Sequence, residues 1–486
     1  MNLTLFIPEI ALAVTAVLVI LLDLFVRQKY ALKAVSLAGL IVAGVFSVAM
    51  WGDKNPALFN NMLAVDNFAV FFKVLFAGTA FLVILASTDY IGKFARFQGE
   101  YYALILISTL GMMLMAAAAD LISLYIALEL TSISLYVLVG LLKDRKSTEA
   151  ALKYLLLGAV ASAVLLYGMA LIFGVTGQTQ LAAIAQSFQQ MFIGSPLDNP
   201  ALIIGIVLLI AGFGFKIAAV PFQMWVPDVY EGAPTTITAY LSVASKAAGF
   251  AIILRIFFSA FNAPFWLSQE WGIIFAALSV ISMIIGNVTA IPQTNIKRML
   301  GYSSIAQAGY LMVGLATFGL AMPSDLFAES GVLFFLASYA LTNLGAFIAI
   351  IAISHKIDSD MIADYAGMGR RAPLLALALT LCLISLIGMP PAAGFMAKFY
   401  LFSLAANNGL LWLVIIAAIN SVISAYYYLR VVKVMWFSEA ASPEKVPSSA
   451  APRFALFLCC LGVLVLGIIP GLVMKLAELA SSLFTF

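Results

Sequence analysis

The sequence predicts an all-helical integral membrane protein that crosses the bilayer about fourteen times. Of its 486 residues, 64% are apolar and only 10% are charged, whereas about a quarter of the residues in a typical soluble domain are charged. Apolar runs of the length that a helix needs to cross a bilayer, about 20 residues, recur along the whole chain. This composition excludes a cytosolic enzyme, a secreted disulfide-rich domain and a disordered chain.

The predicted spans are numbered 1 to 14 from the amino terminus. The boundary between spans 4 and 5 has the weakest signal, because only Asp120 and small residues mark it. Span 1 is not expected to be a cleaved signal peptide, because its apolar run is too long and no basic residue precedes it. The spans lie near Leu3–Val26, Ala31–Trp51, Phe68–Thr88, Tyr102–Ala118, Leu121–Leu142, Ala150–Gly174, Ala201–Val220, Thr236–Ser259, Trp271–Ile291, Leu300–Leu320, Gly331–Ile353, Ala372–Leu404, Leu410–Phe437 and Arg453–Leu483.

The distribution of basic residues between the spans predicts the orientation in the membrane, because cytoplasmic connections are enriched in Lys and Arg. Each connection takes the number of the span that it follows. The even-numbered connections contain Lys54 alone, so we expect the odd-numbered ones to be cytoplasmic and both termini to be periplasmic. The odd-numbered connections contain Arg27, Lys29, Lys33, Lys93, Arg96, Lys143, Arg145, Lys146, Lys297, Arg298, Lys356, Arg370, Arg371, Lys445 and Arg453.

Two connections have a distinct composition. The sixth, Gln178–Pro200, places Leu181, Ile184, Ala185, Phe188 and Phe192 at helical spacing, which predicts a short amphipathic helix at the outer membrane surface. The thirteenth, Ser438–Pro452, is rich in Ser, Pro and Ala, which is typical of a flexible loop.

Four charged residues lie deep inside predicted spans: Glu129 in span 5, Lys216 in span 7, Lys246 in span 8 and Lys398 in span 12. A charge at the centre of a spanning helix costs about 2.5–3.5 kcal/mol on insertion scales, so four unpaired charges cost roughly 10 kcal/mol. A Glu–Lys pair that only holds helices together does not account for three lysines with one carboxylate. Because burial disfavours charged lysine and a nearby carboxylate favours it, we interpret the four residues as proton-carrying groups along a polar pathway.

The remaining basic residues near span ends have a simpler explanation. Their aliphatic stems can lie along the apolar surface while the charge reaches the headgroups. Lys153 also has a partner on the same helix face, since Glu149 lies four residues earlier. This group consists of Lys73, Lys153, Arg255, Arg430, Lys433 and Lys475.

Spans 7 and 12 combine a lysine with helix breakers. Span 7 contains Gly212 and Pro221 around Lys216, and span 12 contains Gly388 and Pro390 before Lys398. Proline removes a backbone donor and clashes with the preceding turn. Irregular backbone at membrane depth persists only where it is packed in protein or lines a cavity. A pair of interrupted spans therefore favours a transporter with a proton or cation path in each half over two ordinary proline kinks.

Several long strings in these regions resemble one family. The strings are Gly214–Lys216, Pro221–Pro234, Ser245–Lys246, Gln293–Ser304 and Gly388–Tyr400. They are similar to the antiporter-like membrane subunits of respiratory complex I and of the Mrp cation/proton antiporters. The resemblance covers nearly the whole chain, and its motifs are long and specific.

The resemblance implies fourteen helices with two inverted five-helix repeats, in spans 4–8 and 9–13. The implied organisation is residues 1–101 for helices 1–3, 102–260 for the first repeat, 261–437 for the second, and 438–486 for a cytoplasmic loop and helix 14. From their matching positions, the resemblance implies that Glu129 and Lys216 are the carboxylate–lysine pair of the first repeat. Lys246 is implied to link the two half-channels, and Lys398 to be the terminal residue of the second repeat. In many relatives a histidine stands where this chain has Gln223, which cannot titrate.

The resemblance also implies a bacterial inner-membrane complex in which quinone reduction elsewhere drives proton transfer in this chain. Its partners are then other complex I membrane subunits, including sibling antiporter-like subunits, with membrane lipid and protons but no nucleic acid. With three cysteines and one histidine, the chain lacks the ligand clusters that haem, iron–sulfur or zinc sites need. We therefore expect no redox metal here, and the resemblance implies no cofactor in this chain, with NADH, FMN, iron–sulfur clusters and quinone in partner subunits.

Two other functions remain open from the sequence. A subunit of a stand-alone cation/proton antiporter of the Mrp type shares the buried lysines but works without a quinone-reducing arm. A multi-pass scaffold predicts that apolar replacement of the buried lysines is neutral or stabilising, as it is for many buried ion pairs. The number of buried charges argues against the scaffold.

Overall fold

The computed structural model describes residues 3–26, 29–52, 57–94, 97–191, 199–262, 265–320, 328–440 and 444–481. Thirteen helices within these residues are long and apolar enough to cross a membrane. The fourteenth crossing, span 12, consists of the two shorter helices Pro373–Ile387 and Ala393–Asn407. The predicted all-helical fold with about fourteen crossings is confirmed.

The described helices are numbered in chain order. A two-stranded hairpin pairs Ala57–Leu58 with Leu63–Ala64, and a π-helical segment, Leu241–Ser245, lies between α10 and α11. The helices are α1 (Ile7–Phe25), α2 (Tyr30–Ala49), α3 (Asn67–Ala86), α4 (Gln98–Ala117), α5 (Leu121–Val139), α6 (Arg145–Thr176), α7 (Leu181–Met191), α8 (Pro200–Ile217), α9 (Trp225–Gly232), α10 (Thr235–Tyr240), α11 (Lys246–Ser259), α12 (Phe265–Ala290), α13 (Ile296–Leu320), α14 (Ala328–Ile357), α15 (Met368–Arg371), α16 (Pro373–Ile387), α17 (Ala393–Asn407), α18 (Leu411–Phe437), α19 (Ala450–Ile468) and α20 (Gly471–Ser481).

The weakly marked boundary between spans 4 and 5 is present at the predicted position. The Asp120 side chain accepts a hydrogen bond from the backbone N–H of Ile122 at 2.8 Å, which caps the start of α5. The Thr179 hydroxyl donates to the other carboxylate oxygen at 2.6 Å. Asp120 therefore starts α5 and joins the fourth connection to the sixth.

Contacts between connections agree with a chain that crosses back and forth. Lys297 of the ninth connection pairs with Asp360 of the eleventh at 3.0 Å. On the side of the even-numbered connections, Thr179 of the sixth connection donates to Asp120 of the fourth at 2.6 Å, and Arg255 of span 8 pairs with Asp66 of the second. Odd-numbered connections thus contact one another, and even-numbered connections contact one another.

The centre of the bundle is formed by the Thr235–Ser259 stretch, α13 and α14, whose side chains are almost all buried. Helices α1, α2, α6 and α18 instead expose broad apolar faces. This arrangement places Lys246, at the start of α11, in the middle of the molecule.

The structure adds detail to two connections and corrects span 14. Helix α7 is present, but Leu181, Ile184 and Phe188 are fully buried against the bundle rather than free to enter a membrane surface; Phe192 lies outside the described residues. The thirteenth connection, of which residues 441–443 are not described, contacts the eleventh through a hydrogen bond from the Val446 N–H to the Arg371 carbonyl at 3.2 Å, and its flexibility stays a prediction. Span 14 is two helices, α19 and α20, that are separated at Pro470, as proline ends a helix.

Two basic residues expected to reach the headgroups are buried ion pairs instead. Lys73 of α3 pairs with Glu9 of α1 at 2.7 Å, and each side chain is 2% exposed. Arg255 pairs with Asp66, also in a buried position. The prediction is wrong for these two residues, because an acidic partner on another helix satisfies the charge inside the protein. Lys433 and Lys475 are exposed, as expected.

The Glu9–Lys73 pair gives a testable prediction about stability. Glu9→Ala leaves the Lys73 ammonium buried without a partner, so we expect a loss of about 3–5 kcal/mol. The double variant Glu9→Gln/Lys73→Met removes both charges and should be much closer to wild type. Thermal unfolding of the detergent-solubilised protein measures both; equal losses in the single and double variants would show that the pair is not a coupled charge pair.

Candidate proton-transfer site

Lys216 lies in the last turn of α8, directly before a break in span 7. The helix ends at Ala218, whose φ of 64° is left-handed, and the chain then runs irregularly to α9. The Lys216 ammonium is buried and donates a hydrogen bond to the Ser132 hydroxyl of α5 at 3.0 Å. The negative end of the α8 dipole also favours a cation in its last turn.

Glu129 lies on α5 one turn before Ser132, yet it does not form an ion pair with Lys216 within 4.0 Å. Its carboxylate accepts a hydrogen bond from the Ser162 hydroxyl of α6. Glu129 is only half-buried, so the expectation of a deeply buried carboxylate is wrong, whereas its pairing with Lys216 in the first repeat stays a prediction. The two charges are neighbours, each held by a separate serine hydroxyl.

Gly249 of α11 allows the Lys216 side chain to pass close to the central helix. A Cβ at this position would lie 3.2 Å from Lys216 Cγ and 2.8 Å from Ile217 Cγ2. Gly249 is one turn after Lys246 on α11, so the end of α8 packs beside the helix that carries the second lysine.

Lys246 follows the π-helical segment directly. It is 3% exposed, and its ammonium donates to the backbone carbonyl of Ser304 and, at 2.5 Å, to the Ser304 hydroxyl of α13. The ring of Tyr339 on α14 lies 5.8 Å from the ammonium. Single-turn π segments are frequent at functional sites, and this one gives span 8 an irregular turn beside its lysine.

Lys398 lies on α17, one turn beyond the break of span 12. Its ammonium donates to the carbonyls of Leu386 and Ile387, at 3.1 and 2.8 Å, and to the Ser421 hydroxyl of α18 at 2.7 Å. The two carbonyls belong to the last turn of α16, where carbonyl groups lack helical partners and the dipole is negative. The broken helix therefore supplies the acceptors that stabilise the charge.

Two further features shape the Lys398 site. The ring of Tyr310 lies 4.3 Å from the ammonium, a distance at which the face of the ring attracts a cation. Gly388, at φ 92°, ends α16, and a Cβ there would lie 2.8 Å from Lys398 Cδ. Only glycine combines this backbone conformation with room for the lysine stem.

The cavity beside Lys398 is largely apolar. It has a volume of about 630 Å³ and lies between α17 and α18. Its lining includes exposed Phe399 and Val422, and polar side chains are limited to Lys398, Ser403 and Ser421. This lining suits lipid or an apolar partner surface, so the ammonium depends on protein oxygens for its hydrogen bonds.

The three lysines share one electrostatic property. Among the described residues, no carboxylate oxygen lies within 4.0 Å of any of their ammonium groups. Neutral oxygens solvate them instead. A lysine held only by neutral acceptors can lose its proton without leaving a buried carboxylate uncompensated. The arrangement is therefore suited to proton binding and release.

Several residues of the site escape prediction from the sequence. Ser132, Tyr339 and Ser421 are neutral, and only helix packing brings them to the lysines. Ser304 lies in one of the strings that resemble the family, which was a signal for it. At Gln223, the amide oxygen is buried without a hydrogen-bond partner among the described residues, and no group of His, Cys, Asp or Glu within them could hold a metal ion.

Comparison with known proteins shows the family to which this chain belongs. Residues 118–424, which include all four candidate residues, match the family described as NADH:quinone oxidoreductase/Mrp antiporter transmembrane subunits. The chain belongs to this family.

Particular relatives are similar over their whole length. A protein named NADH-quinone oxidoreductase subunit N from Dehalococcoides mccartyi is 50% identical over 481 residues, which are 99% of each chain. A chain of respiratory complex I from Thermus thermophilus, solved with bound aureothin, is 34% identical with a TM-score of 0.79, over 96% of this chain and 98% of that chain. A chain of the membrane-bound sulfane sulfur reductase, an archaeal respiratory membrane complex, is 25% identical with a TM-score of 0.88, over 99% and 97% of the two chains.

Proposed function

We propose that this chain is a proton-translocating membrane subunit of a bacterial NADH:quinone oxidoreductase. It fills the place that subunit N has among its relatives, and it moves protons through Glu129, Lys216, Lys246 and Lys398. The observation that carries the proposal is the set of three buried lysines held by neutral oxygens, two of them at helix breaks. A multi-pass bundle with such groups moves charge across a membrane rather than performing redox chemistry.

The energy for this movement comes from partner subunits. Each elementary charge moved against 100 mV costs about 2.3 kcal/mol. With three cysteines and one histidine, this chain offers few ligands for haem or iron–sulfur centres. By its resemblance to complex I subunits, NADH, FMN, iron–sulfur clusters and quinone belong in partner subunits. The names of the full-length relatives support a quinone-reducing complex over a stand-alone antiporter. Sibling antiporter-like subunits and membrane lipid are then its neighbours.

The first repeat, residues 102–260, loads and releases a proton through Lys216. When Glu129 leaves Ser162 and approaches Lys216, its negative charge favours the ammonium form. When Glu129 returns to Ser162, the buried ammonium loses that support and gives up its proton. Separate serine partners for the two charges support a pair that joins and separates, because a permanent ion pair would be in contact.

In the second repeat, residues 261–437, the proton path ends at Lys398. Lys246 connects the proton paths of the two repeats. The α16 carbonyls and Tyr310 stabilise the ammonium form of Lys398 without a carboxylate. Lys398 therefore accepts a proton that arrives from Lys246 and releases it when these acceptors move.

Lys398 variants test this function. Lys398→Arg keeps a charge, but arginine does not release its proton, whereas Lys398→Ala removes the charge. We expect the arginine variant to lose proton pumping at least as severely as the alanine variant, measured with quinone reductase activity in membranes that contain the assembled complex. Normal pumping by Lys398→Arg would rule out proton release from this residue and would favour a scaffold.

The orientation of the chain follows from the charge of its connections. We place both termini on the periplasmic side of the bacterial inner membrane and the odd-numbered connections in the cytoplasm, because fifteen basic residues lie in the odd-numbered connections and one in the even-numbered connections.

Cysteine labelling from outside intact cells tests this orientation. Cysteines introduced at either terminus should react with an impermeant reagent, and cysteines in the Lys143–Lys146 segment should not. The opposite labelling pattern would show that the chain has the reverse orientation in the membrane.

A further inference from the structure

We propose that the hydroxyl groups of Ser304 and Tyr339, followed by one water molecule, carry the proton from Lys246 to Lys398. The inference rests on the proposed function, since it names the groups that join two of the lysines. The two hydroxyl groups come from two different helices, α13 and α14, and neither residue is charged.

The first half of the route is a chain of hydrogen bonds. Lys246 Nζ donates to Ser304 Oγ at 2.5 Å, and Ser304 Oγ lies 3.2 Å from the Tyr339 hydroxyl. All three side chains are less than 5% exposed. Tyr339 is therefore within two hydrogen bonds of Lys246 in a region from which bulk water is excluded.

The second half of the route is a small polar cavity that Tyr339 and Lys398 both line. Its volume is about 10 Å³, which is close to the minimum that holds one water molecule. It lies between α13, α14, α16 and α17, and Tyr339 and Lys398 both contribute to its lining. Its polar lining consists of Gln307, Ser338, Tyr339, Thr342, Ser385 and Lys398.

The hydrogen bonds around this cavity leave one hydroxyl for a water molecule. Thr342 and Ser385 bond to each other at 2.9 Å, and Gln307 Nε2 donates to the Leu386 carbonyl at 3.1 Å. The Ser338 hydroxyl is 1% exposed and has no partner among the described residues. A buried water usually makes about three hydrogen bonds. Ser338 and Tyr339 supply two, and the lone pair of the neutral Lys398 amine supplies the third, because the ammonium form uses its three donors on protein oxygens.

The other groups around Lys398 do not provide a comparable route. Tyr310 presents the face of its ring to the ammonium, while its hydroxyl accepts a hydrogen bond from Asn287 at 3.2 Å. The Ser421 hydroxyl donates to the Ile387 carbonyl at 2.7 Å. Tyr339 is the group that contacts both the Lys246–Ser304 pair and the cavity beside Lys398.

The transfer balances as a relay of single protons. The Lys246 ammonium gives a proton to Ser304 Oγ as the Ser304 hydroxyl proton passes to the Tyr339 oxygen. The Tyr339 proton passes to the water, and a water proton passes to the neutral amine of Lys398. Each hydroxyl and the water gain one proton and lose one, so the net change is one proton moved from Lys246 to Lys398. The hydroxyls then rotate back before the next transfer.

Tyr339→Phe tests the relay, because it removes the hydroxyl and keeps the ring. In membranes with the assembled complex, we expect protons pumped per NADH oxidised to fall to the level of Lys398→Ala. Adding Tyr339→Phe to Lys398→Ala should cause no further loss, because both interrupt one route. Tyr101→Phe is the matched control: it is a fully buried tyrosine whose hydroxyl bonds to Ser87, away from the lysines, and it should pump normally.

The outcomes separate the relay from the proposed function. Wild-type pumping by Tyr339→Phe, or equal losses in Tyr339→Phe and Tyr101→Phe, would overturn the relay. If Lys246→Ala and Lys398→Ala both pump normally, the proposed function itself fails. If Tyr339→Phe prevents assembly, Ser304→Ala provides the same test, since it removes the preceding hydroxyl.

Discussion

The cost of holding a positive charge inside an apolar bundle determines how this protein is built around its lysines. Such a charge needs acceptors, and a regular helix uses its carbonyls internally. The breaks in spans 7 and 12 expose helix ends, and for this reason the carbonyls of Leu386 and Ile387 are free to accept hydrogen bonds from Lys398. The helix breaks and the lysines are therefore two parts of one structural solution.

The other buried charges of this chain have different contacts. Glu9–Lys73 and Asp66–Arg255 are tight ion pairs, and removing one partner of such a pair leaves an uncompensated buried charge. Lys216, Lys246 and Lys398 instead contact hydroxyls and carbonyls. Neutral acceptors stabilise an ammonium but still allow an amine, so the contrast separates groups that hold the bundle together from groups that can change protonation.

Hydrophobic runs were enough to predict the crossings, because each must span the same apolar thickness. They also predicted that three lysines are buried, because a charged residue inside an apolar run can be recognised from the sequence alone. The partners of these lysines were not visible: Ser304 lies 58 residues from Lys246, and helix packing brings them together. Lys73 was misassigned for the same reason, since Glu9 is on another helix. Pro470 was the signal for the division of span 14 into α19 and α20.

The central claim is that this chain carries protons through Lys246 while its partners perform the redox reaction. The most direct test is the ratio of protons moved to NADH oxidised in membrane vesicles with the assembled complex, compared between Lys246→Ala and Lys433→Ala, which changes an exposed lysine at the end of α18. The account predicts a lowered ratio for Lys246→Ala and the wild-type ratio for Lys433→Ala. A wild-type ratio for Lys246→Ala would contradict it.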